Sequence, residues 1–401
     1  MQRYLYTARD ITGKITRGVI VAEDETDLAR KISRLGYFLT GYKIYETPKL
    51  EKKLPKMNAK EVLNFTVQLV TLIEAGLPLL EALDSLAKEA ENERVQGLID
   101  GIRYRVEAGS SLKEALAFHS STFSNLYISI VGAGEATGKL SQVLNDLTRF
   151  LEWQQELKAK IMESSIYPII LFSAMVGAIG IITGLVIPKF EPIFEQLGAQ
   201  LPLPTKIILE ISLFVKKFGW WVGLILIVAL ILGYKIYNST ENGRYKLDSL
   251  KLKLPIFGKL LRKVVLSRFA HTFSMCVRSG IELLAALDIA KETVGNRRIE
   301  KAIEGIKESV NIGERLSTSL RASGEFPPIV VRMMAVGEKS GALSETVEKV
   351  ASFYDKEVAS SIKKIFTLFE PIMIVFMGTV VGLIALSLLM PMFKMVQSIG
   401  G

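Results

Sequence analysis

The sequence predicts a mainly α protein: two tandem cytoplasmic helical bundles plus three transmembrane helices, with a small N-terminal α+β unit. Three observations carry this. Long uncharged stretches alternate with charged, helix-periodic ones; a bundle-plus-span unit occurs twice; and basic residues gather on one side of the apolar stretches. The 401 residues are 49% apolar and 23% charged, with mean hydropathy +0.31. That is too apolar for a disordered chain and too charged for one buried in lipid throughout. A single cysteine, Cys276, excludes an internal disulfide framework and any CxxC metal or redox site. Two histidines, His119 and His271, leave little room for histidine-based metal or proton chemistry, and satisfied or exposed side chains are expected at both.

Residues 1–46 read as a small α+β cytoplasmic unit. Tyr4-Leu5-Tyr6 and Thr16–Val21 read as strands around Thr12-Gly13, Asp24–Leu35 as a helix ending at Gly36, and Tyr37–Tyr45 as a third strand. The opening MQRYLYTARDITGK has no apolar core of a cleavable signal peptide. Glu46–Lys56 is a charged, proline-containing linker. Residues 58–165 read as the first bundle, with Leu69, Leu72 or Ile73, Leu79 or Leu80, Leu83 and Leu86 recurring at three- and four-residue spacing. Gly76-Leu77-Pro78 breaks two antiparallel helices, glycine at the stop and proline near the next start. Gly109-Ser110-Ser111 before Leu112 and Glu114 reads as a turn and a helix cap.

Three stretches carry no charge: Ile166–Ile187 (22 residues), Phe218–Tyr234 (17) and Pro371–Phe393 (23). A bilayer core of about 30 Å needs about 20 helical residues. Trp220 and Trp221 at one end of the middle stretch, Tyr234 and Tyr237 at the other, suit the two interfaces. The spans are therefore set at 166–187, 218–237 and 370–393. Between Tyr234 and Arg268 lie nine basic residues and only two acidic ones, whereas 188–217 carries four basic and three acidic. Lysine and arginine mark the cytoplasmic side, which leaves 188–217 as a periplasmic loop and 238–369 as a basic segment with the second cytoplasmic bundle. Beside a span, such a basic run meets anionic lipid rather than nucleic acid.

The chain repeats itself. TLIEAGLPLLEAL at Thr71–Leu83 aligns with MCVRSGIELLAAL at Met275–Leu287, so Gly76 pairs with Gly280 at an offset of 204. GEATGKL at Gly134–Leu140 aligns with GEKSGAL at Gly337–Leu343 at 203, and Pro168 with Pro371 at the same offset. One residue is lost between roughly 117 and 133. Both copies run from cytoplasm to outside, so the unmatched middle span is needed to bring the chain back.

VGAGEATGKL invites a nucleotide-binding reading, but GxxxxGK[ST] requires a glycine one residue from where Gly132 and Gly134 stand, and Leu140 follows the lysine. The second copy has Ala342 instead of the lysine. The motif GE-x-[ST]-G-x-L leaves two readings. Gly134, Gly138 and Leu140, with Gly337, Gly341 and Leu343, can form a helix corner in which Thr137 or Ser340 caps the next helix. Alternatively Glu135 and Glu338 are a paired acidic feature facing a partner or a cation. Glu163 and Glu370 lie at the cytoplasmic mouths of the outer spans, and no charge lies inside Ile166–Ile187, Phe218–Tyr234 or Pro371–Phe393. That disfavours the alternative of a small oligomeric transporter or channel, where intramembrane charges mark the path. No GxSxG and no HExxH is present, and neither an enzyme nor a cofactor is expected.

The doubled layout, AGLPLLEAL and SGIELLAAL, the two GE-x-[ST]-G-x-L motifs, Phe369-Glu370-Pro371, LPLPT at Leu201–Thr205 and FYDKEV at Phe353–Val358 resemble the type II secretion F domain. This is the GspF/PilC family of inner-membrane platform proteins, and the resemblance covers essentially the whole chain. It implies a multi-pass protein of the bacterial inner membrane, its bulk cytoplasmic, in a type IV pilus or type II secretion machine. It implies as partners a cytoplasmic hexameric assembly ATPase, pilins or pseudopilins, other inner-membrane assembly proteins and further copies of itself. The first copy departs from the second at Tyr167-Pro168, where the second has Glu370-Pro371. Pro371 is expected to weaken the helical ladder at the junction of bundle and span.

Overall fold

The computed structural model describes residues 2–9, 15–22, 25–34, 36–44, 56–186 and 240–399, with single positions at 189, 210 and 228. The periplasmic loop and the middle span expected from the sequence lie outside the described residues, those single positions aside. The chain divides into two compact units, Met1–Lys56 with Ala90–Leu98, and Met57–Glu89 with Ile99–Gly401.

The first unit contains strands β1 (Gln2–Arg9) and β2 (Ile15–Ala22), helix α1 (Glu25–Arg34) and strand β3 (Phe38–Ile44). The sheet order is β2-β1-β3 and both pairings are antiparallel, with an irregularity between Thr7 and Ala8 where β1 meets β3. Ala8 and Ala22 are buried with Leu28 and Ile32 of the helix, and Tyr37 and Leu39 pack on them. Gly36, at φ +80°, turns the chain out of α1 and into β3. These are the three strands and the helix that the sequence predicts.

The second unit carries the duplication. Its first copy runs α2 (Ala59–Glu74), α3 (Leu79–Lys88), α4 (Glu93–Glu107, whose residues 93–98 fall to the first unit), α5 (Leu112–Phe118), α6 (Asn125–Thr137) and α7 (Leu140–Ile181), the last passing into a wider turn at Ile182–Val186. After α8 (Glu241–Lys253) the second copy runs α9 (Phe257–Arg278), α10 (Leu283–Val294), α11 (Arg297–Asn311), α12 (Leu316–Ser323), α13 (Pro328–Ser340) and α14 (Leu343–Ile399). The boundaries of α4 and α11 coincide at the 204 offset, and those of α6 and α13 at 203. The lost residue therefore lies in the connection between α5 and α6. Gly76 (φ +88°) and Gly280 (φ +78°) make the two expected breaks, and Pro78 stands immediately before α3.

Two features go beyond the sequence reading. The two bundles pack into one compact unit: α9 lies along α14, and α7 lies against both. The borders between bundle and span at 165/166 and 369/370 fall inside uninterrupted helices, since α7 and α14 each run through them, with Pro168 and Pro371 in their interiors. Two helices among the described residues, Leu140–Val186 and Leu343–Leu386, are long and apolar enough to cross a membrane.

His119 is neither satisfied nor exposed. It is buried at the end of α5 and, among the described residues, neither ring nitrogen has a hydrogen-bond partner. Burial, helped by nearby Arg105, lowers its pKa and keeps the ring neutral. Its stabilising effect is thus present above the ordinary histidine value and lost as the pH falls below it. Cys276 is fully buried, and desolvation pushes its thiol up to about 12, so it is chemically quiet.

Candidate functional site

The two GE-x-[ST]-G-x-L corners are built alike. Gly134 lies inside α6 and Gly337 inside α13; Gly138 and Gly341 end those helices in the left-handed region at φ +69°, and Leu140 and Leu343 begin the long helices. The residue before α7 is Lys139, preceded by a helix and not by the strand a P-loop needs. A Cβ on Gly134 would stand 3.2 Å from Val143 Cβ, and one on Gly337 would stand 2.6 Å from Thr346 Cβ. Glycine is there because Val143 of α7 and Thr346 of α14 sit directly against the backbone of α6 and α13.

Glu135 and Glu338 are used inside the bundles. Glu135 accepts hydrogen bonds from the backbone N–H of Leu112 (2.7 Å) and Lys113 (3.1 Å) at the start of α5. Glu338 accepts from Leu316 N–H (2.8 Å), Ser317 N–H (3.2 Å) and the Ser317 hydroxyl (2.6 Å) at the start of α12. Ser111 accepts from Glu114 N–H while Glu114 accepts from Ser111 N–H, both at 3.1 Å. The first turn of α5 is thereby fully paired, and a negative charge sits at the positive end of each short helix. Thr137 and Ser340 do not cap the helices that follow. Their hydroxyls bond back to Ala133 (2.8 Å) and Val336 (3.0 Å) in their own helices, because glycine already closes the turn.

The copies meet along a polar seam of two layers. In the first, Arg278 of α9 donates to Asp146 of α7 at 2.8 Å and to Glu348 of α14 at 3.1 Å. In the second, Trp153 Nε1 of α7 donates to Asp355 of α14 at 2.8 Å, His271 Nε2 of α9 lies 2.9 Å from the same carboxylate, and the indole and imidazole stack at 3.9 Å. Seven residues, two helical turns, separate the layers on every helix: 146 and 153, 271 and 278, 348 and 355. Asp146 is nearly buried, and desolvation pushes its carboxyl up against the pull of Arg278. Towards the apolar ends, Val264, Val358 and Ile362 form a core joined by Leu157, Ile161, Leu260 and Phe366.

Above that core the Tyr167 hydroxyl donates to Glu370 at 3.4 Å. These are equivalent positions of the two copies, so the departure noted in the sequence is a contact across the repeat axis. The pairs 146–348, 153–355 and 167–370 follow one another in ascending order; the first is bridged by Arg278. The two long helices therefore run parallel. Beyond them Leu171, Met175 and Ala178 of α7 line one apolar hollow with Met373, Met377 and Val381 of α14.

Of the sequence-predicted residues, the structure joins Glu370 to its counterpart at 167 and ties each corner glutamate to its own half. The seam itself escaped the sequence reading, although His271 and the FYDKEV segment that contains Asp355 stand out in it. The repeat partners of the seam residues differ in kind (Arg278 against Glu74, Asp146 against Lys349, His271 against Val67), so an alignment of the copies hides them. The available signal was polar residues seven apart on otherwise apolar helix faces.

Comparison with known proteins finds the same duplication. The sequence matches the description "Type II secretion system (T2SS), protein F" twice, over residues 65–188 and 269–391, and the "Type II secretion system protein F, N-terminal domain" over residues 1–41. The type IV pilus assembly protein PilC of Thermus thermophilus is 37% identical over 100% of this chain and 99% of its own length. The PilC of Myxococcus xanthus is 32% identical over 99% and 96%. The type II secretion system protein F of Pseudomonas aeruginosa is 32% identical over the full length of both chains. With both copies and the N-terminal unit matched in order, the chain belongs to the type II secretion system protein F family.

Proposed function

We propose that this chain is the inner-membrane platform of a type IV pilus or type II secretion machine, coupling a cytoplasmic assembly ATPase to the extraction and polymerisation of pilin or pseudopilin subunits. The observation that carries the reading is continuity. Each long helix starts in a polar bundle and runs unbroken into a stretch whose isoleucines, valines and phenylalanines stand exposed, among them Ile166, Ile169, Ile170 and Phe172 on α7 and Ile372, Ile374 and Val375 on α14. Such a surface is costly in water and suited to lipid. A helix that stays continuous through Pro168 or Pro371, each of which lacks one ladder hydrogen bond and can set a bend, passes a displacement of the bundle into the membrane. The seam of Arg278, Asp146, Trp153, His271 and Asp355 makes both helices respond together. With three spans and the bulk of the chain cytoplasmic, the bundles are on the side where an ATPase works. The corner residues Gly134, Glu135, Gly138 and Leu140, with Gly337, Glu338, Gly341 and Leu343, set the angle between the short helices and the long ones.

The test is co-purification of the tagged full chain, in lipid nanodiscs, with its cognate hexameric assembly ATPase. The full chain is required because the copies share one core. Retention of the ATPase, together with loss of fibre or secretion when the chain is deleted, is the expected result. No retention, with normal fibres in the deletion strain, contradicts the reading.

A further inference from the structure

The connection between α8 and α9 is unusual in three ways. First, Leu250, Leu254, Ile256 and Phe257 all stand exposed, Leu250 by 60% and Phe257 by 54%. Second, Ile256 has φ 68° and ψ −63°, and Phe257 N–H donates to Pro255 O at 2.8 Å. This is a γ-turn of the strained hand, centred on a β-branched residue. It is the one non-glycine residue at positive φ among those described. Third, the turn is locked from behind. A Cβ on Gly258 would stand 2.8 Å from the carbonyl carbon of Leu252 and 3.1 Å from Lys251 O, so the last turn of α8 presses on the first turn of α9. Strain of this kind persists where the surroundings over-determine it, and it marks a position with a use.

The elbow's height follows from packing. Along α9 and α14 the contacts run antiparallel: Arg278 meets Glu348, His271 meets Asp355, Lys263 meets Glu357 and Ser361, and Leu260 shares a core with Phe366. One further turn of α9 brings Phe257 and Ile256 level with Glu370-Pro371, where the apolar stretch of α14 begins. Lys246, Lys253 and Lys259 stand exposed around it. At the equivalent place the first copy has Leu50-Glu51-Lys52-Lys53, without such an apolar cluster. The elbow also lies outside the residues matched to the family.

We infer that Leu250, Leu254, Ile256 and Phe257 form an interfacial anchor that enters the headgroup region of an anionic bilayer, with Lys246, Lys253 and Lys259 facing its phosphates. Apolar side chains ringed by lysine at the level of a helix's membrane mouth are the composition of such an anchor. The anchor rests on the spanning reading of α14, and it holds the second copy at a fixed height while α14 passes through.

The test uses the full chain in nanodiscs, with a fluorophore on Phe257→Cys and, in separate variants, on Val375→Cys in the apolar stretch and Ile312→Cys at the far end of α11. Native Cys276 stays unlabelled because it is buried. Doxyl-labelled lipid reports contact with the bilayer. Loss of most of the fluorescence is expected at positions 257 and 375, with little at 312, and the loss at 257 should be larger in phosphatidylglycerol than in phosphatidylcholine discs. Quenching at 375 without quenching at 257 overturns the anchor alone. No quenching at either overturns the spanning reading beneath it. Protection at 257 that needs two chains per disc and no doxyl contact assigns the surface to a second copy and overturns the lipid assignment. Equal quenching in both lipids overturns the part given to the lysines.

Discussion

Gly134→Ala combined with Gly337→Ala is expected to lower the thermal stability of the folded chain sharply. An alanine Cβ at 134 would lie 3.2 Å from Val143 Cβ and 3.3 Å from Leu140 Cα, and one at 337 would lie 2.6 Å from Thr346 Cβ. Val143 and Thr346 occupy equivalent positions and are both β-branched, so neither can rotate out of the way inside a helix. Leu140 offers backbone, which moves only if the whole corner moves. Overpacking of this kind costs about 1–3 kcal/mol per site. The two sites touch different residues, so the costs should add. A total of about 2–6 kcal/mol falls on a fold whose net stability is on the order of 5–15 kcal/mol. Gly305→Ala is the control: Gly305 lies within α11 with nothing near its missing Cβ, and alanine there should be neutral or slightly stabilising. The check is thermal unfolding of the solubilised chain. A double variant that melts with the wild type would show that the corners have room the distances deny.

Arg278→Ala should be the most costly single substitution on the seam. It removes the ion-pair partner of Asp146, whose side chain is only 9% exposed, and leaves that carboxylate between Glu348, which repels it, and Arg149, which attracts it less than Arg278 does. Breaking a buried ion pair from one side costs about 3–5 kcal/mol, and the lower end applies because Arg278 keeps 30% of its surface. The pH dependence follows from the direction of the Asp146 shift. Burial already raises this carboxyl, and loss of the arginine removes a charge that lowers it. A raised carboxyl is best tolerated when protonated, and that advantage is lost as the pH rises through its folded pKa. The deficit of the variant should therefore be widest at neutral pH and narrow in acid. Adding Asp146→Asn should restore most of the loss at neutral pH. A deficit independent of pH, and not relieved by Asp146→Asn, would assign the effect to lost packing by the arginine stem instead.

Much of this was legible in the residues. The 203–204 offset fixed the pairing of helices because a corner needs glycine at one place in each copy, and the glycines kept their spacing. Gly76, Gly280, Ser111 with Glu114, and Gly36 announced their turns through chemistry that acts within a few residues. What could not be read was long-range. Glu135 serves α5 from 23 residues away, and Arg278 reaches Asp146 across 132. Such pairs become adjacent only after the copies pack. Thr137 and Ser340 were misassigned for a local reason: a threonine or serine before glycine suits either a cap or a bond to its own helix, and periodicity does not distinguish them. The strained turn at Ile256 broke the rule that positive φ belongs to glycine. Sequences leave no trace of strain that tertiary packing imposes.

Two copies of one unit stand side by side with their long helices parallel, and they meet at the equivalent positions Tyr167 and Glu370. Cross-linking of Tyr167→Cys with Glu370→Cys by a short bifunctional maleimide, in native membrane vesicles, tests this arrangement most directly. The expected result is rapid cross-linking within one chain for this pair, and none for Tyr167→Cys with Leu389→Cys. Cross-linking of the second pair in place of the first would mean that the helices run in opposite directions, and the duplicated platform would have to be abandoned.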